Sequence, residues 1–192
     1  MSRVVQATPK DDASLAKRLL EGQAEVLARI HRDEDLHAIL GRLCEIIEAQ
    51  SPGLLTSILL VDAARRHLVH GAAPSLPADY CEAVDGITIS EGVGSCGHAA
   101  ATGARTVVDD IATHPNWTAF RGLAYETHGL RACWSTPIKS WDGKVVATFA
   151  MYRREPGTPS ARDRKLADYC AHLVAIAVER EQERARLRSR PG

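Results

Sequence analysis

The chain has 192 residues, of which 45% are hydrophobic and 25% charged, and its 24 basic and 24 acidic side chains cancel to a formal net charge of +0. This length predicts one domain with helical extensions, because two separate cores would each bury too little apolar surface. The balanced charge gives no electrostatic reason to expect nucleic acid or an anionic membrane as a partner, and no apolar run approaches the ~18 residues that span a bilayer.

The beginning of the chain lacks the apolar core of a secretion signal, so we expect a cytoplasmic protein. The cysteines are odd in number, widely scattered and without a C-x-x-C pair, which favours reduced thiols over disulfides or a zinc ribbon. They are Cys44, Cys81, Cys96, Cys133 and Cys170.

The first third of the chain predicts two helices and then two strands. Apolar residues at three- and four-residue spacing indicate a first helix that begins near Asp12 or Ser14, either of which would cap it, and continues to Ile30. A second apolar stripe over 36–47 ends before a Ser-Pro-Gly break. Two β-rich segments, 54–61 and 67–71, then predict a hairpin.

The middle third is divided by glycines into short elements. The pattern predicts a short helix within 74–83, a strand at 87–89, a glycine turn at 91–94, a helix from Ser95 to Thr102 that Gly103 ends, and a strand at 105–108. His114-Pro115 then opens a helix that carries Trp117 and Phe120 on one face and ends at Gly129.

The last third predicts a hairpin and a long helix. Strands at 131–139 and 144–153 are joined through Asp142-Gly143, a strong hairpin turn signal. A helix from about Ser160 to near Arg188 follows, in which apolar residues recur with a spacing close to seven residues per two turns. Six strands interrupted by short helices and bracketed by long ones describe an α+β domain with an antiparallel sheet.

Four ordered strings in the chain resemble GAF domains. They are Gly92–Ala99 (GVGSCGHA), Asp110-Ile111 followed by Pro115 and Trp117, Gly129–Ile138 (GLRACWSTPI) and Thr148–Tyr152 (TFAMY). Their order and spacing resemble a bacterial GAF subgroup that commonly precedes diguanylate cyclase, phosphodiesterase or histidine kinase outputs. The resemblance covers about 36–180.

This resemblance implies a six-stranded antiparallel sheet with a helical bundle on one face and a ligand pocket, roofed by short helices, on the other. It also implies three parts: an N-terminal signalling and dimerisation helix (1–33), the GAF domain (34–180), and a coiled-coil helix end and tail (181–192). The chain lacks the signature of cyclic-nucleotide-binding members and the Cys-His dipeptide that anchors bilins, so neither bilin nor haem is indicated.

The candidate ligand-binding residues come from the glycine turn, the roof helix and the strand at 131–138. They are Ser95, Cys96, Trp117, Phe120, Cys133, Trp134, Ser135 and Thr136. Tryptophan and phenylalanine would wall the pocket, with a few polar groups at its edge. Alternation places Cys133 and Ser135 on one face of their strand and Trp134 and Thr136 on the other, and periodicity leaves open which face meets the pocket.

Two interpretations of the glycine turn stay open. Ser95 and its neighbouring amides would either capture an anion at the positive end of a helix dipole or simply cap the helix. Cys96, in that first turn, is either a reactive thiol or a buried structural one.

A reductase is the enzymatic alternative. GAF-fold free methionine sulfoxide reductases also place a cysteine after a glycine turn, but they need a further cysteine on the loop that corresponds to 110–127, where this sequence has none. We therefore assign no catalytic residue.

The histidines predict no metal site. His67 and His70 point to opposite faces of a strand, and Cys96 and His98 point about 160° apart on a helix. A single axial ligand such as His98, His114 or His128 stays open.

The mixed-charge stretch 179–184 resembles the solvated flank of a coiled coil and predicts a homodimer through the N- and C-terminal helices. Arg186, Arg188 and Arg190 are interpreted as a solvent-exposed end of the last helix rather than as a contact for nucleic acid. The favoured function is a small-molecule sensor whose terminal helices transmit occupancy to an output domain or partner. A dimerisation module without a ligand is the third alternative.

Overall fold

The computed structural model describes residues 9–189, with side chains from Ala13 onward. Residues 1–8, whose sequence was the basis for predicting that there is no secretion signal, lie outside the described residues. So do Arg190, in the basic end, and Pro191-Gly192.

Three long helices form one layer: α1 (Pro9–His31), α2 (Leu36–Glu48) and α5 (Ala161–Arg188). The first begins before the expected caps, so the prediction that Asp12 or Ser14 caps it is wrong. Both residues lie within the helix.

Capping residues begin the other two long helices. The Asp35 side chain accepts a hydrogen bond from the Ala38 amide at the start of α2. At the start of α5, Ser160 and Asp163 form a reciprocal capping box, in which each side chain accepts from the other residue's backbone amide. The predicted start of the last helix is therefore right to within one residue.

Six strands form one antiparallel sheet in the order β3-β2-β1-β6-β5-β4. Their bounds are β1 (Leu55–Val61), β2 (His67–Ala72), β3 (Ile87–Thr88), β4 (Thr106–Val108), β5 (Ala132–Lys139) and β6 (Val145–Arg153). The turn between β5 and β6 closes with a hydrogen bond from the Ser140 amide to the Lys144 carbonyl, and Gly143 adopts φ 81° there. The predicted α+β antiparallel fold is confirmed.

Short elements cover the other face of the sheet. They are α3 (Ala78–Val84), α4 (Gly94–Thr102), a 3₁₀ turn (Pro115–Trp117) and a π-helix (Gly122–Thr127), and we call them together the roof. The prediction of one continuous helix from Pro115 to Gly129 is wrong. A 3₁₀ turn stands at its beginning, and a π-helix follows in which the His128 amide donates to the Leu123 carbonyl five residues earlier.

The sheet separates two buried clusters. Phe149 and Met151 of β6 face the long helices, whereas Ala150 and Tyr152 of the same strand face the roof. Along the part of the chain that the structure describes, no helix is both long enough and apolar enough to cross a membrane.

Candidate functional site

Strand β5 answers the question that periodicity left open. Cys133 belongs to the cluster beneath the roof, whereas Trp134 belongs to the cluster beneath the long helices. The Trp134 indole donates to the Gly157 carbonyl at 2.9 Å, away from the roof. Because side chains alternate along a strand, Ser135 shares the roof face and Thr136 shares the helix face. Trp134 and Thr136 therefore lie across the sheet from the roof and wall no cavity there.

A small cavity of about 20 Å³ lies between the sheet and the roof. This is enough for a single water molecule. Among the candidate residues, Ser95, Cys96, Trp117 and Phe120 line it. The rest of the lining is Leu59, Tyr80, Val84, Ile87, Gly94 and Tyr152.

Sequence reasoning missed the two tyrosines of this lining. Tyr152 sits in the TFAMY string, where alternation from Ala150 placed it on the same face, so its position was available but its role was not assigned. Tyr80 comes from the short helix α3, and nothing in its local pattern indicates that it reaches the Tyr152 ring, whose centroid lies 6.0 Å from its own.

Ser95 joins the roof to the sheet. Its hydroxyl accepts a hydrogen bond from the Trp117 indole at 3.1 Å and donates to the Cys133 carbonyl at 3.3 Å. Helix α4 begins one residue earlier, at Gly94, and makes no side-chain cap. The interpretation of Ser95 as a helix cap is therefore wrong, and its hydroxyl is already used twice in the closed site.

A buried network of hydroxyls and a thiol, which we call the polar floor, adjoins the cavity. Tyr80, Cys96 and Tyr152 line the cavity, and Ser57 and Ser135 contact them from outside the lining. Tyr80 donates to the Tyr152 hydroxyl across 3.4 Å, and the Ser57 and Tyr152 oxygens lie 3.3 Å apart. The Ser135 hydroxyl donates to the Cys96 sulfur at 3.5 Å. The two oxygen–oxygen distances exceed the ordinary ~2.7–2.8 Å of a hydroxyl pair, so this network is loosely satisfied.

Burial keeps the polar floor neutral. It raises the pKa of the Cys96 thiol, an effect that the hydrogen bond from Ser135 only partly opposes. It also raises the pKa of Tyr80 and of Tyr152 well above the ordinary phenol value. Cys133, just behind them, has a raised pKa for the same reason. Desolvation therefore favours the neutral thiol and argues against the interpretation of Cys96 as a reactive thiolate.

The edges of the roof are held by side-chain contacts outside the cavity. Arg131 makes a two-pronged ion pair with Asp110, at 3.0 and 2.7 Å, and its guanidinium lies 5.0 Å from the centre of the Tyr125 ring. These contacts fix both ends of the segment that carries Trp117 and Phe120. The segment is thus pinned at its ends by charge and in its middle by the Trp117–Ser95 bond.

Three histidines that were left as axial-ligand candidates have local partners. His98 accepts from the Gly92 amide at 3.0 Å, His114 accepts from the Asn116 amide at 3.3 Å, and His128 lies 3.0 Å from Asp79. Within residues 9–189, no three His, Cys, Asp or Glu side chains group closely enough to hold a metal ion.

Comparison with known proteins decides the family. The family model described as GAF domain matches residues 33–179. The chain belongs to the GAF domain family. A curated relative, the methyl sulfide methyltransferase-associated sensor of Methanosarcina acetivorans, is 36% identical to this GAF domain over 167 residues. That match covers 87% of the chain and 17% of the relative, so the chain spans about a sixth of the relative's length.

Solved structures share the fold of this GAF domain. A GAF sensor protein from Burkholderia vietnamiensis superposes with a TM-score of 0.66 at 18% identity, over 98% of this chain and 100% of that one. A free methionine-R-sulfoxide reductase from Neisseria meningitidis, solved with its substrate, superposes with a TM-score of 0.67 at 21% identity, over 97% and 98%. At these identities the likeness concerns the fold alone.

Proposed function

We propose that this GAF domain is a sensor that binds a small molecule between its sheet and its roof and passes occupancy to its long helices. The observation that carries the proposal is the small cavity itself. Apolar, aromatic and hydroxyl-bearing side chains line it, it lies against the central strands of the sheet on the roof face, and the Trp117–Ser95 hydrogen bond joins two of its walls. Pockets that are mostly aromatic with a few placed polar groups are typical of small-molecule sites.

Binding requires the roof to move, because about 20 Å³ holds no more than a water molecule. The segment from the 3₁₀ turn through the π-helix is suited to this movement. Its elements are short, Phe120 is only partly buried, and one indole–hydroxyl bond ties its middle to α4. π-Helical turns are frequent at functional sites. A ligand that displaces Phe120 and breaks the Trp117–Ser95 bond would open the cavity.

Strands β5 and β6 provide the path to the helices. On β6, Tyr152 lines the cavity while its neighbour Met151 packs in the cluster beneath α2 and α5. A shift of either strand on the roof side therefore changes the surface on which the helices pack. The ligand shifts the helices only if it binds one arrangement better than the other, since equal affinity changes no population.

The outward face of α1 supports the proposed homodimer. Leu20 and Leu27, seven residues apart, are 66% and 37% exposed. Ala16 and Ala24 are also exposed on this face, whereas Leu15, Val26 and Ile30 point into the core. An apolar seam with this spacing is typical of helices that pair with a second helix. We propose that a second copy covers it, and that an output domain or partner protein receives the signal.

The arrangement of thiols argues for binding rather than reductase chemistry. A reductase of the type discussed above needs a thiol that is accessible and readily ionised, whereas Cys96 and Cys133 are buried with raised pKa values. The roof segment at 110–127 carries no cysteine that could act in their place. The cytoplasmic location and the division of the chain at 33 and 180 stay predictions.

Native mass spectrometry tests the proposal. The full chain is incubated with a small-molecule extract below ~500 Da, desalted, and weighed intact. We expect the wild type to show an adduct of added mass. The fraction of protein that carries this adduct should decrease at least tenfold in Phe120→Trp, because the larger side chain fills the cavity. Trp141→Phe, at a side chain that is 89% exposed and far from the cavity, is the matched control.

Three observations separate the alternatives. A dimer that carries no adduct in any extract would contradict the sensor and favour the dimerisation module. Turnover of free methionine sulfoxide that disappears in Cys96→Ser would favour the reductase. Transmission to the helices is tested with a spin label on Gln182→Cys, at an exposed position of α5, in a Cys81→Ser background. The label reports the distance between the α5 helices of the two copies. An unchanged distance when the ligand saturates the protein would remove the switching step.

A further inference from the structure

We infer that the cavity selects an uncharged, ring-containing molecule that carries an O–H or N–H donor, and that it rejects an anion of the same shape. This inference rests on the proposed function and names the ligand class of that same site. Three features of the cavity carry it: its lack of charged lining, its surplus of hydrogen-bond acceptors and its aromatic walls.

The first step concerns charge. All ten lining residues are apolar, aromatic, hydroxyl-bearing or thiol-bearing, and none is charged. Their phenols and thiol stay protonated at neutral pH, because burial raises the pKa of each. A carboxylate or phosphate in this cavity would lose its hydration and meet no charged side chain, only the backbone amides at the start of α4, which is costly. An uncharged molecule avoids that cost.

The second step concerns hydrogen bonds. The Tyr80 hydroxyl donates its single hydrogen to the Tyr152 hydroxyl. A second hydrogen bond joins the Tyr152 hydroxyl to Ser57, which does not line the cavity. A hydroxyl oxygen has two acceptor lone pairs. Tyr80 lines the cavity, and its oxygen has acceptor capacity that no donor among the described residues uses. A ligand O–H or N–H would supply that donor, and the 3.4 Å link to Tyr152 leaves room for adjustment.

Ser95 does not compete for this role. Its hydroxyl already accepts from Trp117 and donates to the Cys133 carbonyl. If the ligand breaks the Trp117 bond, the freed indole N–H remains a donor while Ser95 gains an acceptor site. Breaking that bond frees one donor and one acceptor together, so the balance between them is unchanged and Tyr80 keeps the acceptor that has no donor.

The third step concerns shape. The Trp117 and Phe120 rings meet edge to face, with centroids 6.4 Å apart and an angle of 77° between their planes. Aromatic rings prefer offset or edge-to-face neighbours. A ligand ring that replaces Phe120 beside Trp117 would keep this arrangement.

The rival reading is anion capture through Arg121. This residue belongs to the roof, and its Nε has no partner among residues 9–189 although its Nη2 donates to the His114 carbonyl at 3.4 Å. It does not line the cavity as the cavity stands. A roof movement that swings Arg121 inward would reverse the selectivity, so the experiment includes it.

Three probes of nearly equal shape decide the matter: phenol, benzene and benzoate. Phe120→Ala opens the cavity, and a cavity of ~150 Å³ is known to hold benzene in another protein. Isothermal titration at pH 7 measures Kd for each probe, and thermal melts check it. We expect phenol to bind at least tenfold tighter than benzoate and at least threefold tighter than benzene. At ten times its Kd, phenol should raise Tm by about 4 °C.

Two second-site variants assign the contacts. Tyr80→Phe in the opened background should abolish the advantage of phenol over benzene while it leaves benzene binding intact. Arg121→Gln should change neither. If Phe120→Ala does not melt cooperatively, Phe120→Val is the milder opening.

Each other outcome overturns the inference. Benzoate that binds as tightly as phenol, and is lost in Arg121→Gln, would show an anion site and leave the sensor proposal standing. Equal binding of phenol and benzene, or no effect of Tyr80→Phe, would remove the donor requirement. No binding of any probe to a folded, opened variant would overturn the ligand class, while the adducts of the wild type judge the sensor proposal independently.

Discussion

The two faces of the sheet bury different kinds of side chain. Beneath the long helices the cluster is mainly aliphatic, with Leu40, Leu43, Ile47 and Phe149 at or near zero exposure. Beneath the roof, short irregular elements cover tyrosines, thiols and serines whose hydroxyl contacts are long. Each side holds a small cavity of about 20 Å³, but the one beneath the roof is lined by tyrosine, serine and cysteine side chains whose hydroxyl contacts are long, whereas the other lies against α5.

This difference assigns separate tasks to the two faces. Close-packed aliphatic cores stabilise a single arrangement, because any volume change leaves a void or a clash. Polar clusters with unused hydrogen-bonding capacity contribute less to stability and can exchange partners. We therefore expect substitutions on the helix side to act on global stability, and those on the roof side to act locally.

The largest expected contrast pairs two phenylalanines. Phe149→Ala, beneath the helices, should lower the free energy of unfolding by about 3–5 kcal/mol, because the side chain is fully buried. Phe120→Ala, at the edge of the cavity, should lower it by about 1 kcal/mol. Urea unfolding monitored by circular dichroism measures both. Equal losses would mean that the roof contributes as much to stability as the helix layer.

A smaller contrast pairs two helical glycines. A Cβ at Gly97 of α4 would lie 2.7 Å from the Thr88 carbonyl oxygen, a backbone atom that cannot move aside, so Gly97→Ala should destabilise by about 1–3 kcal/mol. Gly41 of α2 has nothing within 4 Å of the same position, so Gly41→Ala should stabilise by about 0.5–1 kcal/mol through helix propensity. Melting temperatures that move in the same direction would contradict this.

The last contrast is a slope of stability with pH. Burial raises the pKa of Cys44 beneath the helices to about 12 from 9.0. The folded state thus holds its proton to higher pH than the unfolded state, so the stabilisation is complete below pH 9 and is lost as pH rises toward 12. One such group changes stability by up to about 1.4 kcal/mol per pH unit.

Urea unfolding at intervals from pH 8 to 10.5 measures this slope. Cys44→Ala should flatten it, whereas Cys81→Ala, at a half-buried thiol on the roof side, should flatten it less. An equal change in the two variants would show that burial does not distinguish the two thiols.

Local signals in the chain predicted the regular elements well. Asp142-Gly143 predicted the β5–β6 turn and Ser160 stands at the start of α5, because each signal acts through hydrogen bonds to its own neighbours in sequence. The irregular roof was harder to predict. The His114-Pro115 start suggested a regular helix, yet a 3₁₀ turn stands there and the later residues form a π-helix.

The candidate site was predicted in part for the same reason. Alternation correctly divided β5 into two faces but left open which one lies under the roof, since that depends on where the helices pack. Trp134 is a large aromatic like Trp117, and composition alone does not tell that it anchors the loop at Gly157 on the other side. Tyr80 entered the site only through a contact 72 residues away, with Tyr152.

By itself the sequence determined the family, the order of the long helices and the strands, and the turn between β5 and β6, all of which depend on neighbours along the chain. The tertiary structure alone decided which face of β5 meets the roof, how Ser95 uses its hydroxyl, and why the Cys96 thiol stays protonated. These properties arise from desolvation and from contacts between distant segments, and neither exists until the chain has folded.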